Sequence, residues 1–346
     1  MDRINIHIRD LITSYQELNP STIPELSDPP SALEFMRYAA TNRPFILRNG
    51  AADFPAVQKW NAAYLREVMN DAPVNVAISA AGDADSVLER PDGELWFIKP
   101  CEVSAPFGAV LDAIQLQEQD AGHTGPVLYA QTQNDNLRNE YAPLYADIPP
   151  TIPFARIALQ RPPDAINFWL GSARSRTALH RDPYENIYVQ VLGTKTFTLL
   201  PPTEAPCVNE QRLRAGTYVP AAETQAEHEA EGPPAAVYPT LDSPPASIPF
   251  PTWDPDNPAV RPSPYSHLAW PIRLMLRPGD MLYLPALWYH AVAQGNGNEG
   301  ISCSVNYWYD MDYSGAFYSL SGFARGVGLA SMGREEDGGF IDAPAT

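Results

Sequence analysis

Two short segments of the sequence carry side chains that could bind a divalent metal. His180 and Asp182 are separated by one residue, so on a β-strand both would point to the same face. The second segment is an apolar run that begins after Gly279, is ended by Pro285 and leads to His290 at the start of a further strand. In a small barrel this order of elements can bring His290 back to the first two side chains. Together, the segments predict a metal site with three protein ligands.

Two imidazoles and one carboxylate on one face leave other coordination positions open. This facial arrangement is typical of non-haem iron oxygenases. Each segment alone has an ordinary explanation, which is a hydrogen-bonded surface pair for the first and a buried core histidine for the second. The presence of both segments in one chain favours the metal site.

The composition limits the class of protein. With 346 residues, 45% of them apolar, the chain can bury the core of one large domain or two small ones. It has no apolar stretch long enough to span a membrane, and its first residues lack the apolar core of a secretory signal. The three cysteines are far apart, which disfavours a disulfide framework and a thiolate zinc site. We therefore expect no membrane partner and a reduced, cytoplasmic location, with the nucleus as a second compartment.

The formal net charge of −18 repels phosphate backbones, so we expect no nucleic-acid partner. The same charge would attract a basic peptide. The alternative is that the acidity only keeps the protein soluble.

Helix and strand signals are mixed before residue 126. Ser31 and Glu34 form a capping-box pattern inside a segment, residues 1–40, that is predicted to be helical. Further predictions follow along the chain: a strand at 43–48, a turn at 49–50, a helix at 55–69, a strand at 74–79 and a helix at 111–119. We expect residues 1–125 to form an α/β region packed on the rest of the chain.

Short β-runs with turn signals dominate from Val127 onward. Strands are predicted at 127–131, 165–170, 186–192, 195–200, 272–276, 281–284, 290–294 and 302–309. The third and fourth of these, joined by Gly193 and Thr194, predict a hairpin. This pattern is typical of a sandwich or barrel rather than of a doubly wound sheet.

A Pro-rich segment interrupts these β-runs. Residues 201–265 hold 15 of the 37 prolines, which argues against a regular central strand or helix and favours a surface excursion such as a lid or rim. After the last strand, residues 313–332 are expected to form a C-terminal helix. Residues 333–346 are expected to form a flexible tail.

The metal-binding pattern resembles the two motifs of a cupin or Jumonji-C barrel. The likeness continues in other segments, which are Arg43–Asn49, Asn167–Gly171, Thr177–Asn186, Gly193–Lys195, Leu282–His290 and Asn306–Met311. These are similar to segments of the small Jumonji-C lysyl hydroxylases, and the likeness extends over roughly residues 30–330. It implies a mainly β fold with flanking helices, in which a double-stranded β-helix, or jelly roll, occupies residues 126–312 and carries the Pro-rich segment as an insertion.

The resemblance also implies cofactors and roles. Iron(II) would be bound by His180, Asp182 and His290, with 2-oxoglutarate as cosubstrate and O2 as oxidant. Lys195 would pair with the distal carboxylate of 2-oxoglutarate, as suits a buried point charge. The other implied cosubstrate residues are two hydroxyl donors at that carboxylate, two amides near the metal end and one ring lining the pocket: Thr177, Tyr129, Asn186, Asn306 and Tyr188. The alternative for each is an ordinary packed polar residue.

The implied reaction is hydroxylation of a lysine in a protein, such as a GTP-binding protein. An N-methyl-lysine demethylase would share every residue named above, so the sequence leaves that alternative open. A metal-binding cupin that is not an oxygenase, or an interaction protein on a degenerate barrel, is a further alternative, and Lys195 with Asn186 argues against the former. A target lysine would need a carboxylate near the metal, for which Glu185 and Asp135 are candidates by position. Relatives also suggest a homodimer.

Overall fold

Strands rich in β-branched and aromatic residues dominate the structure, as the sequence predicts. The computed structural model describes residues 2–120, 122–221, 234 and 236–334. Its strands are β1 (Glu25–Leu26), β2 (Phe45–Leu47), β3 (Pro73–Ser79), β4 (Asp83–Ala84), β5 (Ser86–Glu89), β6 (Leu95–Lys99), β7 (Cys101–Pro106), β8 (Val127–Tyr129), β9 (Ala165–Gly171), β10 (Arg176–His180), β11 (Tyr184–Leu192), β12 (Thr194–Leu200), β13 (Glu210–Pro220), β14 (Val237–Leu241), β15 (Ser247–Pro251), β16 (Ile272–Leu276), β17 (Met281–Leu284), β18 (Tyr289–Gly295) and β19 (Ser302–Asp310).

Helices lie mainly in the first half of the described chain. They are α1 (Asp2–Leu18), α2 (Ala32–Ala40), α3 (Pro55–Lys59), α4 (Ala62–Met69), α5 (Phe107–Gln119), α6 (Pro153–Leu159) and α7 (Ala316–Ser331). The Ser31–Glu34 capping box is present at the start of α2. The helix predicted at 55–69 is two helices, because Trp60 between them has extended backbone. Most of the tail predicted at 333–346 lies outside the described residues.

Two sheets face each other across a shared core. Sheet I has the strand order β1-β2-β17-β11-β19-β9, and sheet II has the order β16-β12-β18-β10-β4. Side chains from both sheets, among them Trp169, Tyr188, Phe197, Leu282 and Val292, form one buried cluster between them. The predicted jelly roll is thereby confirmed.

The predicted hairpin is wrong. β11 pairs with β17 and β19 in sheet I, whereas β12 pairs with β16 and β18 in sheet II. The intervening Gly193 has φ of 66° and carries the chain from one sheet to the other. A Cβ at this position would lie 2.5 Å from the carbonyl oxygen of Gly295, so only glycine fits the corner.

Sheet I is buried on both faces. Ile187 and Val189 of β11 point outward into a large core shared with α2, α5 and β3. Asn186 and Tyr188, at the alternate positions, point inward toward sheet II. Polar side chains on the inward face are therefore enclosed between the two sheets.

The prediction that the Pro-rich segment contains no central strand is also wrong. β13 is flanked by β6 on one side and by β14 and β15 on the other. It is free of proline up to Pro220, its last residue, and further prolines lie in β14 and β15 at the edge of this sheet. The prolines of the segment thus border a regular strand rather than preventing one.

The N-terminal region contributes strands to the barrel as well as packing on it. β2 pairs with β17 in sheet I, and β4 pairs in parallel with β10 in sheet II. Strands β5, β6 and β7 of this region were not predicted from the sequence. Across the described ranges, no helix is both long enough and apolar enough to cross a membrane.

Asp280 joins the N-terminal region to the barrel, so its loss is expected to destabilise the fold. Its carboxylate, in a residue that is 4% exposed, accepts hydrogen bonds from the backbone N–H groups of Asn49 and Arg277 and from the Arg48 guanidinium. Asp280→Ala leaves these donors without an acceptor and should lower the free energy of unfolding by about 3 kcal/mol. Urea denaturation measures the change.

Asp256→Ala is the matched control. Asp256 pairs with Arg273 at the surface, and its side chain is 63% exposed. We expect its replacement to cost less than about 1 kcal/mol. Equal effects of the two substitutions would contradict the anchoring role of Asp280.

Candidate active site

The three predicted metal ligands meet at one end of the barrel. His180 ends β10 and lies directly opposite His290 of β18 in the antiparallel register. The Nε2 atoms of His180 and His290 lie 3.7 and 3.6 Å from the same Oδ2 atom of Asp182. Ligand atoms that are each about 2 Å from a common ion lie within about 4 Å of one another. The three side chains can therefore hold one divalent metal.

The path of the chain at Asp182 differs from the prediction. β10 ends at His180, so Asp182 lies in the connection to β11 and not on a strand beside His180. Its backbone carbonyl instead accepts a hydrogen bond from the N–H of Leu287 at 2.8 Å, just before His290. This bond joins the two metal-binding segments.

The N-terminal region fixes the turn that precedes His290. The amide of Asn42 donates to the carbonyl of Ala286 at 3.0 Å and accepts from the indole of Trp288 at 2.7 Å. Asn42 has φ of 49°, a left-handed conformation that asparagine tolerates better than most residues. The position of His290 thus depends on Asn42, which is far from it in the sequence.

Hydrogen bonds to the backbone orient both imidazoles. Nδ1 of His180 lies 2.8 Å from the carbonyl oxygen of Ala178, and Nδ1 of His290 lies 3.0 Å from that of Trp288. Because a carbonyl only accepts, each Nδ1 carries the proton, and each Nε2 lone pair points toward Asp182. This tautomer is the one that a metal requires, with a second partner holding each ring.

The electrostatics of the three groups match those of metal ligands. Burial lowers the pKa of His290 to about 4, so this imidazole is neutral at neutral pH. Burial would raise the pKa of Asp182, but the two imidazoles outweigh it and hold that pKa below its usual value. Burial opposes protonation of His180, and the carboxylate of Asp182 reverses this and raises the His180 pKa. Asp182 is therefore an ionised ligand placed between two imidazoles.

Lys195 lies in the same interior, farther along the barrel. It is 1% exposed and stands on β12 opposite Gln294. Its Nζ lies 3.4 Å from the hydroxyl of Tyr129 and within 5.4 Å of the ring centroids of Trp169 and Tyr188. Among the described residues no carboxylate pairs with it, and burial lowers its pKa to about 7. An anionic ligand would supply the missing countercharge.

A series of hydrogen-bonded side chains begins at Trp169, beside Lys195, and continues along the interior. The indole of Trp169 donates to Oδ1 of Asn306 at 2.7 Å, and Nδ2 of Asn306 donates to Oδ1 of Asn186 at 3.0 Å. Nδ2 of Asn186 and both polar atoms of the Gln294 amide then have no hydrogen-bond partner in the part of the chain that is described. Buried donors left unpaired are costly, so this interior suits a polar ligand.

Close packing shapes the Lys195 end of the cavity. A Cβ at Gly171 would lie within 2.9 Å of the Tyr129 ring, the Gln294 amide and the Ser175 hydroxyl. Glycine at this position lets these groups approach one another. The residues fit a small dicarboxylate with one end at the metal and the other at Lys195.

Two other implied residues also face the interior. Thr177 lies opposite Val292, whose side chain is in the core between the sheets, so the two share a face. Tyr188 packs against the rings of Trp169 and Phe197. Tyr188, expected to line the pocket, faces the interior. Thr177, expected as a hydroxyl donor at the distal carboxylate, has no hydrogen bond to Lys195 within the described ranges. The cosubstrate roles of both residues stay predictions.

The structure excludes both acids suggested for the target lysine. Glu185 lies opposite Tyr309 and accepts a hydrogen bond from Tyr283, and both tyrosines belong to the core on the outward face of sheet I. Asp135 is paired with Arg138 and accepts from the backbone N–H of Ile166. Neither carboxylate faces the metal ligands.

Gln294 and Trp169 also lie in the cavity, and neither was predicted from the sequence as a site residue. Gln294 could have been found from strand periodicity, because it follows His290 by an even number of residues and so shares its face. Trp169 lies within a segment that resembles the family, but its hydrogen bond to Asn306 depends on the pairing of β9 with β19. That pairing is a long-range property of the fold.

Comparisons with known proteins agree with this geometry. Residues 30–315 match the model of a family described as a cupin-like domain. A human protein named bifunctional peptidase and (3S)-lysyl hydroxylase JMJD7 is 36% identical over 95% of this chain and 98% of its own length. JmjC domain-containing protein E of Dictyostelium discoideum is 34% identical over 84% of each chain. Lysine-specific demethylase JMJ32 of Arabidopsis thaliana is 31% identical over 88% of this chain and 87% of its own.

Removing the buried ammonium should stabilise the unliganded protein. Lys195→Met keeps the length of the side chain without its charge, so we expect the free energy of unfolding to rise by several kcal/mol at about pH 6. The folded chain releases the Lys195 proton near pH 7, whereas the unfolded chain holds it up to about 10.5. Wild-type stability therefore rises with pH across this window, and the advantage of the variant shrinks. Urea denaturation at several pH values tests this.

Lys99→Met is the comparison variant. Lys99 pairs with Asp242 at the surface, and its side chain is 39% exposed. Its replacement should change stability by less than about 1 kcal/mol. A Lys195→Met protein that is less stable than wild type at every pH would show that the ammonium has a protein partner.

Proposed function

The chain belongs to the cupin-like Jumonji-C family, and we propose that it is an iron(II)- and 2-oxoglutarate-dependent oxygenase that hydroxylates a lysine side chain of a protein. One observation carries the proposal beyond family membership. A buried lysine without a carboxylate partner in the described structure lies on the same inward face of sheet II as His290 of the metal-binding triad. A metal site alone would not need that ammonium.

The spacing of the two ends favours 2-oxoglutarate as cosubstrate. Leu199 lies opposite His290 on the paired strands, and Lys195 precedes Leu199 by four residues. Four residues of strand cover about 13 Å, which a five-carbon dicarboxylate and a lysine side chain can span together. In this proposal Lys195 and the Tyr129 hydroxyl bind the distal carboxylate, with Thr177 as a further donor. The unpaired amide of Asn186, held by Asn306, faces the metal-binding end, and Tyr188 lines the space between.

The protein supplies orientation and exclusion of water. When bound, iron(II), 2-oxoglutarate and O2 supply the oxidation, in which 2-oxoglutarate is converted to succinate and CO2 and a substrate hydrogen is replaced by hydroxyl. His180, Asp182 and His290 would hold the metal and would leave its other coordination positions free of protein ligands. The aromatic rings of Tyr129, Trp169 and Tyr188 surround the Lys195 ammonium and limit its contact with water. The charge of the distal carboxylate would raise the pKa of Lys195 and keep its ammonium protonated.

A protein lysine is the substrate that the relatives and the charge favour. Two of the relatives carry names that refer to lysine, one as a lysyl hydroxylase and one as a lysine-specific demethylase. The net charge of −18 favours the approach of a basic segment. A GTP-binding protein as substrate stays a prediction from the resemblance.

Demethylation of N-methyl-lysine is the second candidate, because the similarity to lysine-specific demethylase JMJ32 covers 88% of this chain. It would use the same triad and the same Lys195. A cupin that only binds metal is less consistent with the structure, since the buried ammonium and the unpaired amides would then have no ligand to bind.

The other partners of the protein and its cellular compartment stay predictions. The cysteines Cys101, Cys207 and Cys303 are buried and free, which is consistent with the expected reduced cytoplasmic compartment, with access to the nucleus. The absence of a nucleic-acid or membrane partner and the formation of a homodimer are likewise expectations.

Succinate formation should depend on both ends of the cavity. His180→Ala should abolish turnover of 2-oxoglutarate, because the metal loses a ligand. Lys195→Ala should raise the KM for 2-oxoglutarate by about 100-fold or more, the loss expected for a buried charge-assisted contact, and excess 2-oxoglutarate should restore part of the rate. The assay measures succinate from anaerobically iron-loaded protein after exposure to air.

Glu185→Gln serves as the control in this assay, because Glu185 lies on the outward face of sheet I. It should retain turnover close to that of wild type. A Lys195→Ala protein with an unchanged KM for 2-oxoglutarate would contradict the assignment.

The two candidate reactions differ in their products. A lysyl hydroxylase leaves its peptide about 16 mass units heavier, whereas a demethylase releases formaldehyde from N-methyl-lysine. We expect the mass gain on unmodified lysine peptides, with succinate formed in equal amount. Mass spectrometry of unmodified lysine peptides, together with formaldehyde detection on N-methyl-lysine peptides, distinguishes the two. Formaldehyde without a mass gain on unmodified lysine would favour the demethylase.

The expected homodimer can be tested on α7. Its side chains Phe317, Leu320 and Phe323 are exposed, and α7 packs on α1, where Ile4 and Ile6 are also exposed. If this face joins two copies, Phe323→Asp should convert the dimer to a monomer in light scattering, because a carboxylate would be buried without a partner. Trp270→Asp, at another exposed site, should leave the dimer intact. A monomeric wild type would remove the homodimer prediction.

A further inference from the structure

Asp85 lies beside the strand that delivers the first metal ligand. It follows β4, whose residues Asp83 and Ala84 pair in parallel with Arg176 and Thr177 of β10. β10 then continues to His180, its last residue. Asp85 directly follows Ala84 and so lies one strand away from the part of β10 that leads to His180. Asp85 is thus a carboxylate near the metal ligands, the role for which Glu185 and Asp135 were the candidates from the sequence.

Local structure does not account for a carboxylate at this position. Asp85 has φ of 48°, a left-handed conformation that asparagine or glycine adopts equally well. Partial burial raises its pKa to about 6, and its side chain is engaged in no hydrogen bond or ion pair within the described ranges. Asp83, two residues earlier, instead lies directly opposite Arg176 on the paired strand, and the Arg176 charge acts on its carboxylate. A partly buried, unpaired carboxylate costs stability, so its presence beside a reaction centre indicates a ligand.

We propose that Asp85 binds the ammonium group of the substrate and makes the site selective for a lysine side chain. The assignment rests on the proposed lysyl oxygenase function and names the residue that recognises its substrate. A charge-assisted hydrogen bond from the ammonium would satisfy the Asp85 carboxylate. Because Asp85 is beside the metal ligands and not one of them, it holds the charged end of the side chain while leaving the triad free. Asp85 is a specificity residue in this account.

The test compares a charged probe with a neutral one. Binding of Nα-acetyl-lysine methylamide and of its norleucine analogue to the full-length protein is measured by saturation-transfer NMR. Wild type should prefer the lysine probe by about 10-fold or more, the value expected for one charge-assisted hydrogen bond. Asp85→Asn should remove this preference, because it keeps the shape and the left-handed backbone but not the charge. Asp85→Glu should retain part of it.

Asp83→Asn is the matched control, and it should keep the preference for the lysine probe because its carboxylate lies beside Arg176. Thermal unfolding adds a second readout. Asp85→Asn should be at least as stable as wild type, whereas a structural role would make it less stable.

The outcomes separate this proposal from the function on which it rests. An Asp85→Asn protein that keeps the preference, or a wild type that has none, would overturn the assignment of Asp85. Loss of the preference in Asp85→Asn alone supports it. A wild type that prefers the lysine probe but adds no oxygen to lysine peptides would leave Asp85 as the ammonium site and overturn the oxygenase.

Discussion

The pairing of β10 with β18 is the contact on which the site depends. It places His180 directly opposite His290, although the two residues are far apart in the sequence. Asp182 completes the triad because its carbonyl is hydrogen-bonded to Leu287, in the turn before His290. Asn42 holds the same turn from the N-terminal region. The metal ligands are therefore fixed by the barrel and by the region that packs around it, and not by one local motif.

The interior of the barrel is more polar than stability alone would favour. Lys195 is enclosed by three aromatic rings, and the amides of Asn186 and Gln294 are incompletely paired among the described residues. Such groups each cost free energy in the unliganded protein. The outward face of sheet I, which is packed with Ile187, Val189 and similar residues, compensates for this cost. A stable outer core thus supports an inner cavity that is completed by a ligand.

The sequence predicted the parts of the site that depend on residue type and strand periodicity. The three metal ligands and a sandwich or barrel follow from motifs and short β-runs, whereas Lys195 and the jelly roll were implied by the family resemblance. Periodicity could also have excluded Glu185, because it is adjacent to the inward-facing Asn186 and must point to the other face. This inference requires knowing which face of the strand points inward. The expected position of Asn186 near the metal identifies that face.

Features that depend on long-range pairing could not be predicted. The pattern around Gly193 is that of a hairpin, but β11 and β12 find their partners in different sheets. The proline content of residues 201–265 concealed β13, whose own sequence is free of proline until its last residue. Asp85 has no motif around it, and only the parallel pairing of β4 with β10 places it near His180.

The central claim is that the metal triad and Lys195 bind opposite ends of one 2-oxoglutarate molecule. The most direct test is a crystal structure of the protein grown without oxygen in the presence of manganese(II) and 2-oxoglutarate. The account predicts manganese at His180, Asp182 and His290, and the distal carboxylate of 2-oxoglutarate at Lys195. Manganese at the triad with 2-oxoglutarate absent from the cavity, or with Lys195 paired to a protein carboxylate, would contradict it.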